Sequence, residues 1–339
     1  MYTQISTKYR TYISNWLILM FFLVSAMIVV GGLTRLTDSG LSITEWEFFK
    51  GFLPPLNDKT WIAYFESYKQ IPEFKLQNFS MTLDEFKIIF WWEWAHRFFG
   101  RIIGLTFLVP LIYFSVKIGF KKLSNLHFIF VLICFQGFLG WYMVKSGLIN
   151  DVDVSHFRLS IHLLFAFIIL SLIFWNYMNM INIIIHKKRL LNLLPEFFLI
   201  TIFVQIIFGA FVSGMDAGKI YNTWPLMGET YFPDDSKIID MFQLTVFSDP
   251  SLVQYLHRNL AYLIVILYLS LIFIIYKRKI YHLFKPIIIL GFTIFLQVFL
   301  GILTLLNGAN LFTSSLHQFS SILLVTSSLY FFYKNKFYI

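Results

Sequence analysis

Four of the eight histidines in this chain, His96, His162, His257 and His317, recur at matched places in a repeated pattern. Trp94-Ala95-His96-Arg97 aligns with Tyr255-Leu256-His257-Arg258 at an offset of 161 residues. Phe135-Gln136-Gly137-Phe138-Leu139-Gly140 aligns with Leu296-Gln297-Val298-Phe299-Leu300-Gly301 at the same offset, and Leu159-Ser160-Ile161-His162 with Ser314-Ser315-Leu316-His317 at 155. Gly31 and Gly40 pair with Gly209 and Gly218 at 178, so the first connecting segment is 17 residues longer than the second. A lone histidine inside an apolar helix is more often a hydrogen-bonding residue between helices than a ligand. Four of them, two per repeat, suggest ligands. Two neutral imidazoles facing each other across a four-helix bundle make a bis-histidine heme site. Zinc or copper would want a third or fourth ligand, and neither half supplies a cysteine or another paired histidine. The remaining histidines, His127, His156, His186 and His282, fall in or beside connecting segments and read as solvated or interfacial.

The repeat breaks at two informative places. Glu93 lies one helical turn before His96, on the same face; its partner at +161 is Gln254, which cannot ionise. Arg158 precedes His162 by one turn, and its counterpart is Thr313. The first site thus carries a carboxylate and an extra guanidinium that the second lacks. A carboxylate beside a porphyrin edge can act as a general base or stabilise a developing cation. Arg97 and Arg258 each follow a candidate ligand, and an arginine within a membrane costs about 2.5–3.5 kcal/mol unless paired. Heme propionates are suitable partners; a Glu93–Arg97 pair one turn apart, or an arginine reaching the interface, is the plainer alternative.

The elements that must carry these residues are membrane helices. The chain has 339 residues, 58% hydrophobic and only 13% charged, against roughly 25% charged in soluble domains. These proportions exclude a soluble globule and a disordered chain, and the single Cys134 excludes a disulfide scaffold. Eight continuous apolar runs are expected to span the bilayer, at roughly 15–33, 89–116, 126–145, 157–183, 196–214, 253–276, 286–306 and 312–333. They do not alternate as β-barrel strands would. The fold expected is an all-α integral membrane protein, with two duplicated four-helix bundles covering residues 1–190 and 191–339. The long segment at about 34–88, rich in tryptophan, should form a structured cap; a second long segment spans 215–252.

Charge sets the expected orientation. Lys8 and Arg10, Lys117/Lys121/Lys122, Lys187/Lys188/Arg189, Lys277/Arg278/Lys279/Lys285 and Lys334/Lys336 all fall on one side of the eight spans, together with a single acid, Glu196. By the positive-inside rule that side and both termini are cytoplasmic, with the four histidines toward the outer face. The net charge of +9 therefore reports membrane orientation and gives no reason to expect nucleic acid. The first run lacks a signal-cleavage pattern, and only Lys8 and Arg10 precede it, so no mitochondrial transit peptide is expected.

Along nearly its whole length the sequence resembles the heme A synthase family. The resemblance rests on Gly31-Gly32-Leu33-Thr34-Arg35-Leu36-Thr37-Asp38-Ser39-Gly40-Leu41-Ser42, Glu93-Trp94-Ala95-His96-Arg97 and Arg158-Leu159-Ser160-Ile161-His162. Asn222-Thr223-Trp224-Pro225-Leu226-Met227 and the pairs His257-Arg258 and His317-Gln318 complete it. It implies a membrane oxidoreductase that converts the C8 methyl of heme O to the formyl group of heme A, for cytochrome oxidase. The family route is two hydroxylations, methyl to alcohol to geminal diol, then dehydration. Carried over, His96 and His162, with Arg97 and Arg158, would hold the substrate heme, and His257 and His317, with Arg258, a permanent heme B that relays electrons. Glu93 would be the catalytic carboxylate. Some bacterial members carry a cysteine pair in an outer loop; this chain has only Cys134 and resembles the cysteine-free proteobacterial and mitochondrial subclass. The resemblance implies a bacterial cytoplasmic (inner) membrane address, contact with lipid, and heme O synthase as a candidate donor of the substrate. Gly137 and Gly140 could pack helices within one chain or in a homo-oligomer.

Two other readings fit part of the pattern. A diheme b-type electron-transfer subunit would keep both hemes permanently and do no porphyrin chemistry. A transporter or an assembly scaffold suits a parallel duplication but leaves four matched histidines without a purpose.

Overall fold

The computed structural model describes residues 5–46, 50–149, 152–182, 191 and 193–337. His186 and the basic run Lys187/Lys188/Arg189 lie outside the described residues. The described residues are mainly helical, with one isolated bridge between Met227 and Thr230. Its helices are α1 (Thr7–Leu36), α2 (Asp58–Tyr68), α3 (Pro72–Leu76), α4 (Leu83–Ile118), α5 (Ser124–Gly147), α6 (His156–Ile181), α7 (Leu194–Gly214), α8 (Pro250–Lys277), α9 (Phe284–Leu306) and α10 (Leu311–Lys336), joined in places by short 3-10 turns.

Seven helices, α1 and α4 to α9, are long and apolar enough to cross a bilayer, which makes the chain a multi-pass membrane protein. The expected eighth, α10, is a 26-residue helix that is not among them. Its hydropathy is lowered by hydroxyl residues that face inward: Ser320, Ser327 and Ser328 are buried, and Ser327 shares a 2.7 Å hydrogen bond with Thr293 of α9. Hydroxyls that bond across helices let backbones approach closely in such proteins.

Two compact units divide the chain, one formed by residues 22–166 and the other by residues up to 21 with those from 167 onward. In the first, the segment before α4 is a folded cap. Asn57 caps α2, accepting from the Thr60 N–H at 2.9 Å. Thr82 and Glu85 form a reciprocal capping box that starts α4 six residues ahead of its apolar run. This extra length supports the cap: Trp61 meets Phe90 at 4.9 Å between ring centroids and Tyr68 meets Phe86 at 5.2 Å, with Leu41, Ile43, Phe65 and Ile71 in the same buried cluster.

In the second unit, α7 packs along α8 and α9 along α10, with α7 also touching α10. Asp249 caps α8, where Pro250 opens the helix with its fixed φ, and Asn310 caps α10. Segment 244–248 is held by Phe247, which meets Phe208 and Phe211 of α7.

Candidate functional site

His162, His257 and His317 lie about two turns from the starts of α6, α8 and α10. His96 is deeper, nearly four turns from Leu83, because the capping box at Thr82 begins α4 ahead of the span. What the four share is a neighbour. A β-carbon built on Gly31 of α1 would stand 3.0 Å from Cε1 of His96, and one on Gly140 of α5 3.2 Å from Cε1 of His162. In the other unit the distances are 3.2 Å from Gly209 of α7 to His257 and 2.9 Å from Gly301 of α9 to His317. Each imidazole therefore lies edge-on against bare backbone of the preceding long helix. Only glycine leaves that space, since contacts under 3.0 Å force something to move and those just above are tight.

All four Nδ1 atoms are buried without a hydrogen-bond partner. Buried polar atoms in native proteins are nearly always satisfied, so four orphans at repeated positions mark sites whose chemistry is incomplete in the polypeptide alone. The His257 and His317 rings are 6.5 Å apart between centroids and inclined at 81°. That spacing admits one iron-sized ion bound by both, at metal–nitrogen distances of about 2 Å. Gln205 Nε2 donates to the His257 carbonyl at 2.9 Å and lies 3.3 Å from its Nε2; Gln297 Nε2 lies 3.4 Å from Nε2 of His317. Ser320 in turn bonds Gln297 Oε1. In the first unit Gln136 donates to the His162 carbonyl at 2.9 Å, and His96 and His162 are within electrostatic reach of each other. Among the described residues no group of three or more His, Cys, Asp or Glu could hold a bare metal ion. The donor set fits paired axial ligation of a heme.

Glu93 is buried beside the first histidine pair. Its Oε2 accepts from the Ser42 hydroxyl at 2.7 Å and from the Ile43 N–H at 2.8 Å, and its Oε1 from Arg97 Nη2 at 2.5 Å. Donors from three residues thus hold this carboxylate in one orientation at low exposure, where charge-assisted hydrogen bonds are strong. The plainer pairing of Glu93 with Arg97 is present. Arg97 also reaches the Ile43 and Glu45 carbonyls at 2.9 and 3.4 Å, and its guanidinium lies 5.4 Å from the centre of the Trp46 ring.

Arg258 plays the same part in the other unit. It donates to the carbonyls of Tyr221 at 2.9 Å, Thr223 at 2.9 Å and Leu226 at 3.2 Å, and its buried Nε has no partner. Gln254, at the position equivalent to Glu93, donates to the Tyr221 carbonyl at 3.2 Å. Arg158 donates to the Tyr142 carbonyl at 3.0 Å and lies 4.1 Å from the centre of that ring, while Thr313 sits in the first turn of α10, bonded to its capping Asn310. Arg97 and Arg258, expected to face propionates, clamp the connecting segments through their carbonyls. That role is not legible in the sequence, because carbonyls leave no mark on residue type. The glycines are visible there as repeat markers; their contact with the histidines is not.

The family model described as cytochrome oxidase assembly protein, COX15-CtaA, matches residues 14–329. This chain belongs to that family. It is 48% identical over 335 residues to a Pelagibacter ubique protein named heme A synthase, covering 98% of both chains. A Rickettsia bellii protein of the same name is 43% identical, covering 93% of this chain and 95% of the relative. One from Rickettsia prowazekii is 38% identical, covering 97% and 100%.

Proposed function

We propose that the protein is a heme A synthase, a membrane oxidoreductase that oxidises the C8 methyl of heme O to a formyl group. Family membership and relatives of that name over nearly the full chain support the activity. The observation that supports giving the chemistry to the first half is the contrast at one position: Glu93, anchored by Ser42, Ile43 and Arg97, against Gln254.

In this reading His96 and His162 hold heme O in the unit that carries Glu93. His257 and His317 would hold a heme B, which when bound supplies a one-electron relay. Glu93 stands one turn from a ligand histidine with both oxygens fixed, so it can take a proton from water or stabilise positive charge at the reacting carbon. Arg97 keeps the carboxylate oriented, and the buried cap over it limits the entry of bulk water. Eight spans with both termini cytoplasmic, the histidine ends outward and a bacterial inner-membrane address complete the proposal, with heme O synthase as donor.

The test is to express the chain in membranes supplied with heme O and identify the extracted hemes by chromatography and mass. Heme A or its hydroxylated precursor, absent from an empty-vector control, is the expected result. Heme B alone, with heme O present and the protein folded, would move the assignment to a diheme electron carrier, for which the matching glycine–histidine contacts of both units would suffice.

A further inference from the structure

A second acid lies buried in the cap that covers Glu93. Glu73, in α3, is 3% exposed, and its Oε2 has no hydrogen-bond partner. Its neighbour Tyr68, at the end of α2, is fully buried; the Tyr68 hydroxyl accepts from Asn78 Nδ2 at 2.8 Å and is hydrogen-bonded to Glu73. Tyr68 and Ile71 belong to the apolar cluster that also contains Leu41 and Ile43, the residues on either side of Ser42. No role falls to Glu73 in holding the histidines or Glu93.

We propose that Glu73 is the proton-holding acid through which Glu93 exchanges protons with water at the cap surface. The inference rests on the oxidation proposed above. Converting the methyl to the alcohol with water passes two electrons, one at a time, to a one-electron acceptor and releases two protons, one from the C–H bond and one from the water, each of which must leave through side chains. Glu93 is enclosed by Ser42, Ile43 and Arg97 and cannot pass them to solvent directly.

The groups whose charge Glu73 feels form a series of rising exposure: Glu93 of α4, buried; Asp153 in the α5–α6 connection, half-buried; and Asp38 after α1, exposed and paired with Arg35 at 2.7 Å. Tyr68 is its polar contact from α2, and Asn78, just past α3, donates to Tyr68 in turn. The charges that bear on Glu73 most strongly are those of three acids, Asp153, Glu93 and Asp38. A carboxyl buried in such a place is held neutral, and its bare oxygen is an acceptor for an arriving proton while its hydroxyl gives one up. Burial first, then Asp153, Glu93 and Asp38, push its carboxyl up to about 8.

The experiment is infrared spectroscopy of the purified full chain, combined with the pH profile of heme O oxidation, for wild type and Glu73→Gln. The wild type should show a protonated-carboxyl absorption that shifts in heavy water and titrates away near pH 8; Glu73→Gln should lack it. With heme B content unchanged, Glu73→Gln should oxidise heme O about tenfold more slowly, less than the about 10²-fold of a directly acting group, and lose the inflection near pH 8. An equal absorption in both proteins, or a wild-type rate and profile in the variant, overturns the proposal. Should Glu73→Gln not fold, Tyr68→Phe decides: it must shift the same absorption, and an unmoved band overturns the assignment. Failure of the wild type to make heme A would sink the proposed function separately, because the infrared arm needs no turnover.

Discussion

Gly301 and His317 are in a contact that leaves no room for a methyl group: a β-carbon on the glycine would lie 2.9 Å from Cε1 of the imidazole. Gly31, Gly140 and Gly209 stand in the same relation to His96, His162 and His257 at 3.0–3.2 Å. Gly301→Ala should therefore displace the ring and lower the heme B retained after purification, with a shifted heme absorption in what remains. Gly137→Ala is the control, because nothing lies within 4 Å of its added methyl. Equal heme content in Gly301→Ala and Gly137→Ala would show that the glycine edge does not set the ligand.

Glu93→Ala should abolish the oxidation, a loss of at least about 10²-fold, while leaving heme B bound at His257 and His317. It also strips Arg97 of its carboxylate, and removing one partner of a buried pair typically costs about 3–5 kcal/mol, so Glu93→Gln is the gentler companion. Full turnover in Glu93→Gln would reduce Glu93 to a packing residue.

His257→Ala should lose heme B and keep the first unit's carboxylate site intact. Pyridine hemochrome analysis of the purified variant measures this directly. Undiminished heme B would exchange the roles of the two units or break the ligand assignment.

Ser42→Ala removes one of two donors to Glu93 Oε2. A hydrogen bond to a charged group is worth about 1.5–3 kcal/mol, and the loss should appear as a lower unfolding temperature and slower oxidation, with heme B unaffected. An unchanged rate would place Ser42 outside the positioning of the carboxylate.

Glu73 gives a stability prediction as well. Its folded value of about 8 lies above the ordinary 4.5, so the folded chain holds this proton more tightly than the unfolded one. Stability contributed by the neutral acid is complete below about pH 4.5 and is lost as pH rises toward 8. The full loss is on the order of 4–5 kcal/mol at most, at about 1.4 kcal/mol per pH unit. Relative to wild type, Glu73→Gln should unfold at a higher temperature at pH 9 and at a similar one at pH 4.5; a constant difference across that range would rule out the buried neutral acid.

Much of this arrangement is written in residue type. Apolar runs locate seven spanning helices, because burial in lipid dictates composition directly. The paired histidines and the Glu93–Gln254 contrast are visible in the sequence because they are differences of residue type. The apolar run at 312–333 does form a helix, α10, but its hydroxyls keep it out of the seven most apolar helices, and one of them, Ser327, shares a hydrogen bond with Thr293 of α9. The Ile43 N–H on Glu93 is out of reach of residue type. Nearly any residue has an N–H, and only the path of the chain brings this one across 50 positions to the carboxylate.

Arg97 and Arg258 tie each first histidine to the segment that crosses above it, through the carbonyls of Ile43 and Glu45 in one unit and of Tyr221, Thr223 and Leu226 in the other. With the histidines as heme ligands, as proposed, the adjacent arginine would couple ligand binding to loop order, and such a linkage runs both ways. Whatever fixes the imidazole raises the free energy of opening the loop, and whatever loosens the loop weakens the grip on the ligand. A protease acting on residues 221–226 would thus report, from outside the bilayer, whether His257 is engaged within it.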